Sequence, residues 1–271
     1  MSLSNKTLTT SARRERIVNQ LKAQGSVQVN VLASDFDVST VTIRNDLSFL
    51  EKQGVATRAY GGAMLSTAPQ LEAERSIATK RTEHSTIKER IGQLAASLIT
   101  PGSSIILDSG TTTYEIARHL HAHEDVIVMT NGMNVADALV DATSVDLLVT
   151  GGRLRRHSLS FFGTQAETSL QNYHFDMLFL GVDGLDPMMG VTTHHEDEAR
   201  LNRCMCDAAK KIIVVTDSSK FYRASLHKII GLDRVDKIIT DDNIPPALLD
   251  IFINKGIDVL LVDHTSPDTA G

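Results

Sequence analysis

The chain has 271 residues, 42% of them hydrophobic and 22% charged, enough apolar content for the cores of two domains. No stretch approaches the roughly 18 consecutive apolar residues of a membrane span, and no basic-then-apolar leader opens the chain, so a cytoplasmic protein is expected. Two cysteines, Cys204 and Cys206, exclude a disulfide framework, and the net charge of −6 argues weakly against nucleic acid until it is divided along the chain. Residues 1–66 hold eight Lys/Arg against five Asp/Glu, a balance of +3, and the remainder carries −9. A basic head on an acidic body suits a module that touches phosphates joined to one that does not.

Residues 1–10 are polar and expected to be disordered. Arg14 to Gln24 sets Ile17, Val18 and Leu21 on one face and stops at Gly25, which predicts a first helix. Val29 to Phe36 reads as a second helix, Asp37-Val38-Ser39 as a turn, and Ser39 as the N-cap of a third helix over Thr40 to Gln53. Ile43, Leu47 and Leu50 recur at helical spacing and face inward, leaving Thr40, Val41, Thr42, Arg44, Asn45 and Ser48 outward. In a major groove Arg grips guanine, Asn grips adenine, and Thr and Val methyls touch thymine methyls. Hydroxyls near the helix start, Ser39 among them, suit phosphate contacts. Val55 to Arg58 reads as a strand and Tyr60-Gly61-Gly62 as its turn, a wing whose Arg58 and Tyr60 reach the DNA backbone. The whole, residues 11–64, predicts a winged helix-turn-helix, although spacing alone also fits a plain three-helix packing unit.

Residues 65–85 hold Pro69 and few strong apolar positions and read as a linker, partly helical. An amphipathic helix follows through Ile87, Ile91, Leu94, Ala95 and Leu98, ending at Pro101-Gly102. Seven short apolar runs come next: Ser104–Leu107, Val126–Met129, Leu147–Val149, Met177–Leu180, Lys211–Val215, Lys237–Ile239 and Val259–Val262. Helical stretches over Thr113–His121, Met133–Asp141, Asp197–Ala209 and Ala247–Lys255 alternate with them. Strands apolar on both faces, alternating with helices, predict an α/β domain over 86–264 built on a parallel sheet.

Asp108-Ser109-Gly110-Thr111-Thr112-Thr113 directly follows a predicted strand and opens a helix. Backbone N–H groups and hydroxyls converge there on a helix N-terminus, where a phosphate is the natural occupant, although an unliganded capped turn has the same residues. Thr130-Asn131-Gly132, Gly151-Gly152-Arg153, Gly181-Val182-Asp183-Gly184 and Asp217-Ser218-Ser219-Lys220 follow further strands. Together these turns predict one crevice that includes Asn131, Gly132, Gly152 and Asp183, with Lys220 as its cation. Adjacent His194 and His195 point to different sides, and His119, His121 and His123 read as a solvated helix end, so no metal is expected. Asp108, Asp183, Glu196 and Lys220 are of the types that transfer protons, but an isomerase has no need of the head, and no enzyme is expected.

Arg13-Arg14-Glu15-Arg16-Ile17, Val38 to Leu47 and Leu50 to Gly54 resemble the DeoR family of bacterial regulators, in which a winged helix precedes a sugar-phosphate sensor. Tyr60 stands where that family's wing usually carries His. Leu107 to Thr113, Thr130-Asn131-Gly132, Gly151-Gly152, Gly181-Val182-Asp183, Glu196 to Ala199 and Asp217 to Phe221 are similar to the sensor half, itself similar in fold to ribose-5-phosphate isomerase and glucosamine-6-phosphate deaminase. The resemblance covers residues 13 to about 262. It implies phosphate contacts at Ser109 to Thr112 and brings Glu196 into the ligand site, while His195 replaces a common Asn. Gly132 to Ala136, Gln171 to Leu180 and His195 to Asn202 are most similar to the subgroup that represses N-acetylgalactosamine catabolism. The implied protein is a nucleoid-associated repressor of a sugar-catabolism operon, released from operator DNA by an amino-sugar or tagatose phosphate. No cofactor and no membrane partner are implied. A homo-oligomer, dimer or tetramer, is expected, because twofold-related heads match half-sites about 34 Å apart.

Overall fold

The computed structural model describes residues 10–52, 55–59, 61–65 and 74–264. The leader 1–9, Tyr60 and residues 66–73 of the predicted linker lie outside the described residues, as does the side chain of Arg58. Contacts divide the chain into two compact units, with the first break after Gln70.

The first unit opens with α1 (Thr10–Gln24), which begins four residues before the predicted start. Gly25, at φ +74°, ends it in the left-handed conformation that glycine adopts at no steric cost, its N–H donating to the Leu21 carbonyl at 2.8 Å. Then come β1 (Ser26–Gln28), α2 (Val29–Asp35), α3 (Thr40–Lys52), β2 (Ala56–Ala59) and β3 (Gly62–Leu65). Ser39 caps α3 as predicted: its Oγ accepts the Thr42 N–H at 3.1 Å. Ile17, Leu21, Leu32, Ile43, Leu47 and Leu50 join Val27 and Ala63 in one core. The strand β1 is absent from the sequence reading, where Ser-Val-Gln is too short to show a period. It pairs with β3, so the wing is a three-stranded sheet in the order β1-β3-β2. A Cβ on Gly62 would lie 2.0 Å from the Val27 carbonyl oxygen, so this pairing requires glycine there.

The second unit begins with α4 (Ile77–Thr82) and α5 (Ser85–Ala96). Its frame continues through β4 (Ser104–Leu107), α6 (Thr111–Arg118), β5 (Val126–Thr130), α7 (Met133–Leu139) and β6 (Val145–Val149). A hairpin of β7 (Arg153–Arg155) and β8 (Ser160–Phe162) leads to α8 (Thr164–Ser169) and β9 (Phe175–Gly181). Next are β10 (Gly184–Asp186), β11 (Gly190–Thr193), α9 (Glu196–Asp207) and β12 (Ala209–Val215). The chain closes with β13 (His227–Ile230), β14 (Lys237–Asp241), α10 (Pro246–Asn254) and β15 (Asp258–Val262).

The seven predicted strands form one seven-stranded sheet, parallel throughout, in the order β15-β14-β12-β9-β4-β5-β6. Ile105, Ile106, Leu107, Leu178, Phe179 and Val214 are fully buried at its centre. From β4 the chain steps outward through β5 and β6. It returns to β9 on the other side of β4 and steps away through β12, β14 and β15. The order therefore reverses between β4 and β9, and a doubly wound sheet opens a crevice at such a point, outside the carboxyl ends of its strands.

Candidate functional site

That crevice exists, with a cavity of about 80 Å³, room for several waters or a small anion. Asp108 to Thr112 line it after β4, Gly181 to Asp183 after β9, and Thr216, Asp217 and Lys220 after β12. The three turns follow three neighbouring strands. Gly110 precedes α6 without any side-chain cap, so the first-turn N–H groups of α6 have no protein acceptor of that kind. The Lys220 ammonium has no hydrogen-bond or ion-pair partner among the described residues.

Asp108 holds the floor together. One carboxylate oxygen accepts the Gly110 N–H at 2.9 Å and the Thr113 hydroxyl at 2.7 Å, and the other accepts the Gly181 N–H at 3.0 Å. It thereby ties the turn after β4 to the end of β9. Burial pushes its pKa up to about 6 against the lowering effect of those three donors. Asp183 is held by the Thr193 hydroxyl at 3.0 Å and by Lys80 at 2.5 Å. Burial alone would raise its pKa, but Lys80 and His194 outweigh that and the carboxyl falls below its ordinary range.

Of the predicted ligand residues, Asp108, Ser109, Gly110, Thr111, Thr112, Asp183 and Lys220 come together in the crevice, and five others lie outside its lining. Thr113 is fully buried with its hydroxyl committed to Asp108. Asn131 and Gly132 are roofed by β8 and the residue before it: the Phe161 N–H donates to the Asn131 carbonyl at 2.7 Å, and the Leu159 carbonyl accepts the Met133 N–H at 2.8 Å. Gly132 still shapes the site, since a Cβ there would press to 2.8 Å from Ser109 Cα. Gly152 packs on Phe162, where a Cβ would lie 2.6 Å from the carbonyl oxygen. Glu196 is exposed at the start of α9, and Glu198, one half-turn on, lines the crevice instead.

Sequence reasoning also missed Arg75, Lys80, Lys88, Ser158 and Asn202, which line the crevice too. Glu198 accepts Ser158 at 2.5 Å and Ser160 at 2.7 Å. Lys88 is buried, and burial lowers its pKa; it donates to the carbonyls of Lys80 at 2.5 Å and Glu83 at 2.7 Å. One signal was available for it: Lys88, Ile91, Gly92 and Ala95 fall on one helical stripe, so a lysine sits on an apolar face.

In the first unit, Val41, Arg44, Asn45 and Phe49 are exposed on α3, with Thr40, Thr42 and Ser48 half-buried beside them. The Ser39 and Thr42 hydroxyls bond each other at 2.9 Å as part of the cap. Behind this face Asp46 is buried and accepts Arg13 Nε at 2.6 Å and Arg14 Nε at 2.7 Å. The Arg14 guanidinium also lies 3.9 Å above the exposed Phe49 ring.

Comparison with known families places a DeoR-like helix-turn-helix domain on residues 13–68 and a DeoR C terminal sensor domain on residues 83–242. The chain belongs to the DeoR family. It is 59% identical over 253 residues to a putative aga operon transcriptional repressor of Escherichia coli O157:H7, covering 93% of this chain and 94% of that one. It is 33% identical over 248 residues to the HTH-type transcriptional repressor GlcR of Bacillus subtilis, covering 92% and 95%. Among solved structures, ribose 5-phosphate isomerase A of Methanocaldococcus jannaschii is similar at a TM-score of 0.39 and 16% identity, over 51% of this chain and 55% of that one. No described helix of this DeoR-family chain is long and apolar enough to cross a membrane.

Proposed function

We propose that this DeoR-family chain is a transcriptional repressor of an amino-sugar catabolism operon, released from operator DNA when a phosphorylated sugar occupies the crevice between β4 and β9. The observation that carries the effector reading is the pairing of an uncapped α6 N-terminus with the unpartnered Lys220 cation in one cavity. Helix N–H groups and an ammonium favour a phosphate more than any neutral group. The 59% identity to a putative aga operon repressor favours galactosamine 6-phosphate or tagatose 6-phosphate over other phosphates. A regulator is favoured over an enzyme because the four crevice carboxylates already have partners: Asp108 in backbone N–H groups, Asp183 in Lys80, Glu198 in two serines and Asp217 in the Ser219 N–H. The chain acts as a homo-oligomer on paired half-sites.

Two variants separate the halves of this reading. Thr111→Asp puts a carboxylate where the phosphate sits. It is expected to abolish the melting-temperature rise given by tagatose 6-phosphate or galactosamine 6-phosphate while operator retention in a gel shift stays intact. A wild-type melting shift that survives in Thr111→Asp means that the phosphate binds elsewhere. Arg44→Ala, on the exposed face of α3, is expected to cost about 1–3 kcal/mol of specific operator binding with the melting shift preserved. Unchanged operator affinity would remove α3 as the reading helix.

A further inference from the structure

Helix α4 lies between the two segments matched to the family, after residue 68 and before residue 83. It buries none of its own residues. Ion pairs and hydrogen bonds, with one ring contact, hold the stretch around it. Arg155 grips Glu74 with both terminal nitrogens at 2.5 Å, the Ile77 N–H donates to His157 at 3.0 Å, and Arg81 sits 4.4 Å above the Tyr114 ring. At its centre Lys80 donates to Asp183, and the carbonyl of Lys80 is taken by the buried Lys88. A helix placed by charge pairs instead of apolar packing can be moved by a change of charge in its surroundings, because little hydrophobic area has to be given up.

We propose that α4 is the strap through which the crevice reports its occupancy to the DNA-binding segment, and that Lys80 is the residue that changes partner. This rests on the phosphate-effector reading given above. With the crevice empty, Lys80 neutralises Asp183. A phosphate between the α6 N-terminus and Lys220 brings a dianion to the same cavity, since Lys80, Lys220 and Thr111 all line it. A dianion competes well for the ammonium. When Lys80 leaves, the Thr193 hydroxyl at 3.0 Å and the His194 N–H at 3.4 Å remain on the other oxygen of Asp183 and keep its carboxylate in place. The shift of Lys80 carries with it α4, the first described helix after the winged head in the chain. Coupling of this kind requires that the ligand interact differently with the two positions of the strap, and the exchange of Lys80 between a carboxylate and a phosphate supplies that difference.

The test uses the full chain with tagatose 6-phosphate and galactosamine 6-phosphate as probes, saturation being read from the melting temperature. In the wild type, hydrogen exchange over residues 77–84 is expected to change when the probe saturates. In Lys80→Gln, operator release at saturation is expected to weaken about tenfold, and exchange over 77–84 becomes indifferent to the probe. In Asp183→Asn the strap loses its resting partner, and its exchange without probe moves to the level of the liganded wild type. Release from Lys80→Gln at saturation equal to that of the wild type overturns the strap, as does an exchange pattern over 77–84 that no probe alters in a wild type that binds it. A wild type whose melting temperature neither probe raises overturns the effector reading itself, and the strap with it; that measurement precedes the variants, so the two failures are distinct.

Discussion

Asp46→Ala is expected to unfold the winged head while the sensor body stays folded. Asp46 is 1% exposed and accepts the Nε of both Arg13 and Arg14. Arg13 is itself buried, with 8% of its side chain accessible. Deleting the carboxylate strands a guanidinium in an apolar setting, and breaking a buried pair from one side costs about 3–5 kcal/mol. A unit of this size holds only about 3–8 kcal/mol in total, so most of its stability goes. The measurement is calorimetry of the full chain: the transition of the head is lost or falls steeply, and the transition that responds to tagatose 6-phosphate remains. Operator retention disappears with it, although Asp46 faces away from the exposed side of α3. Replacing the cluster with apolar residues of similar volume, Arg13→Met with Asp46→Leu, is expected to recover much of the loss, since an apolar swap spares both desolvation penalties. A head transition unchanged in Asp46→Ala would mean that the arginines are solvated and the pair contributes nothing.

The stability of the body is expected to fall as pH rises from about 4 to 6, through Asp108. Its carboxyl titrates at about 6 in the folded state against an ordinary 3.8, because burial penalises the charged form more than Gly110, Gly181 and Thr113 favour it. The folded state therefore binds the proton more tightly than the unfolded chain. The contribution of the group is fully present below pH 3.8, declines as pH rises through about 6, and is constant above that. A displacement of this size corresponds to about 3 kcal/mol. Asp183, which follows β9, raises the Asp108 pKa further. The check is denaturant unfolding of the wild type and Asp108→Asn at pH 4, 5, 6 and 7. The variant loses acceptors, since its amide nitrogen opposes a backbone N–H, but it does not titrate. The advantage of the wild type over it should shrink with pH by up to about 3 kcal/mol. Parallel curves would show that Asp108 is not the titrating group.

These two acids mark where sequence reading succeeds and where it stops. Asp108 was legible because it belongs to a strand-loop-helix unit, and such units carry their own period. The same holds for the seven strands of the sheet, whose residues are apolar on both faces. Asp46 was not legible as a structural group. In sequence Arg13-Arg14-Glu15-Arg16 counts toward a basic DNA-binding face, yet two of those charges are turned inward onto a carboxylate more than thirty residues away. The small strands β1, β7, β8, β10, β11 and β13 have three or four residues each, too few for alternation to show. The part of the crevice formed by Arg75 and Lys80 was invisible for another reason. It comes from a stretch that reads as a polar linker, and its partner Asp183 stands 103 positions from Lys80. Spacing within one motif has no access to such a pairing.

The reversal of strand order at β4 also bears on how the chain is made. The head closes its core with residues between Ile17 and Ala63, all of which leave the ribosome before the first sheet strand does. The centre of the body cannot follow so soon. Ile105 pairs with Met177, so one flank of the most buried strand stays open until 72 more residues have been synthesised. Contacts that far apart close slowly, and an apolar strand edge left waiting is a template for the wrong partner. During synthesis the helix-turn-helix is thus ready early, while the body has its greatest exposure to chaperones and to aggregation in the interval between β4 and β9.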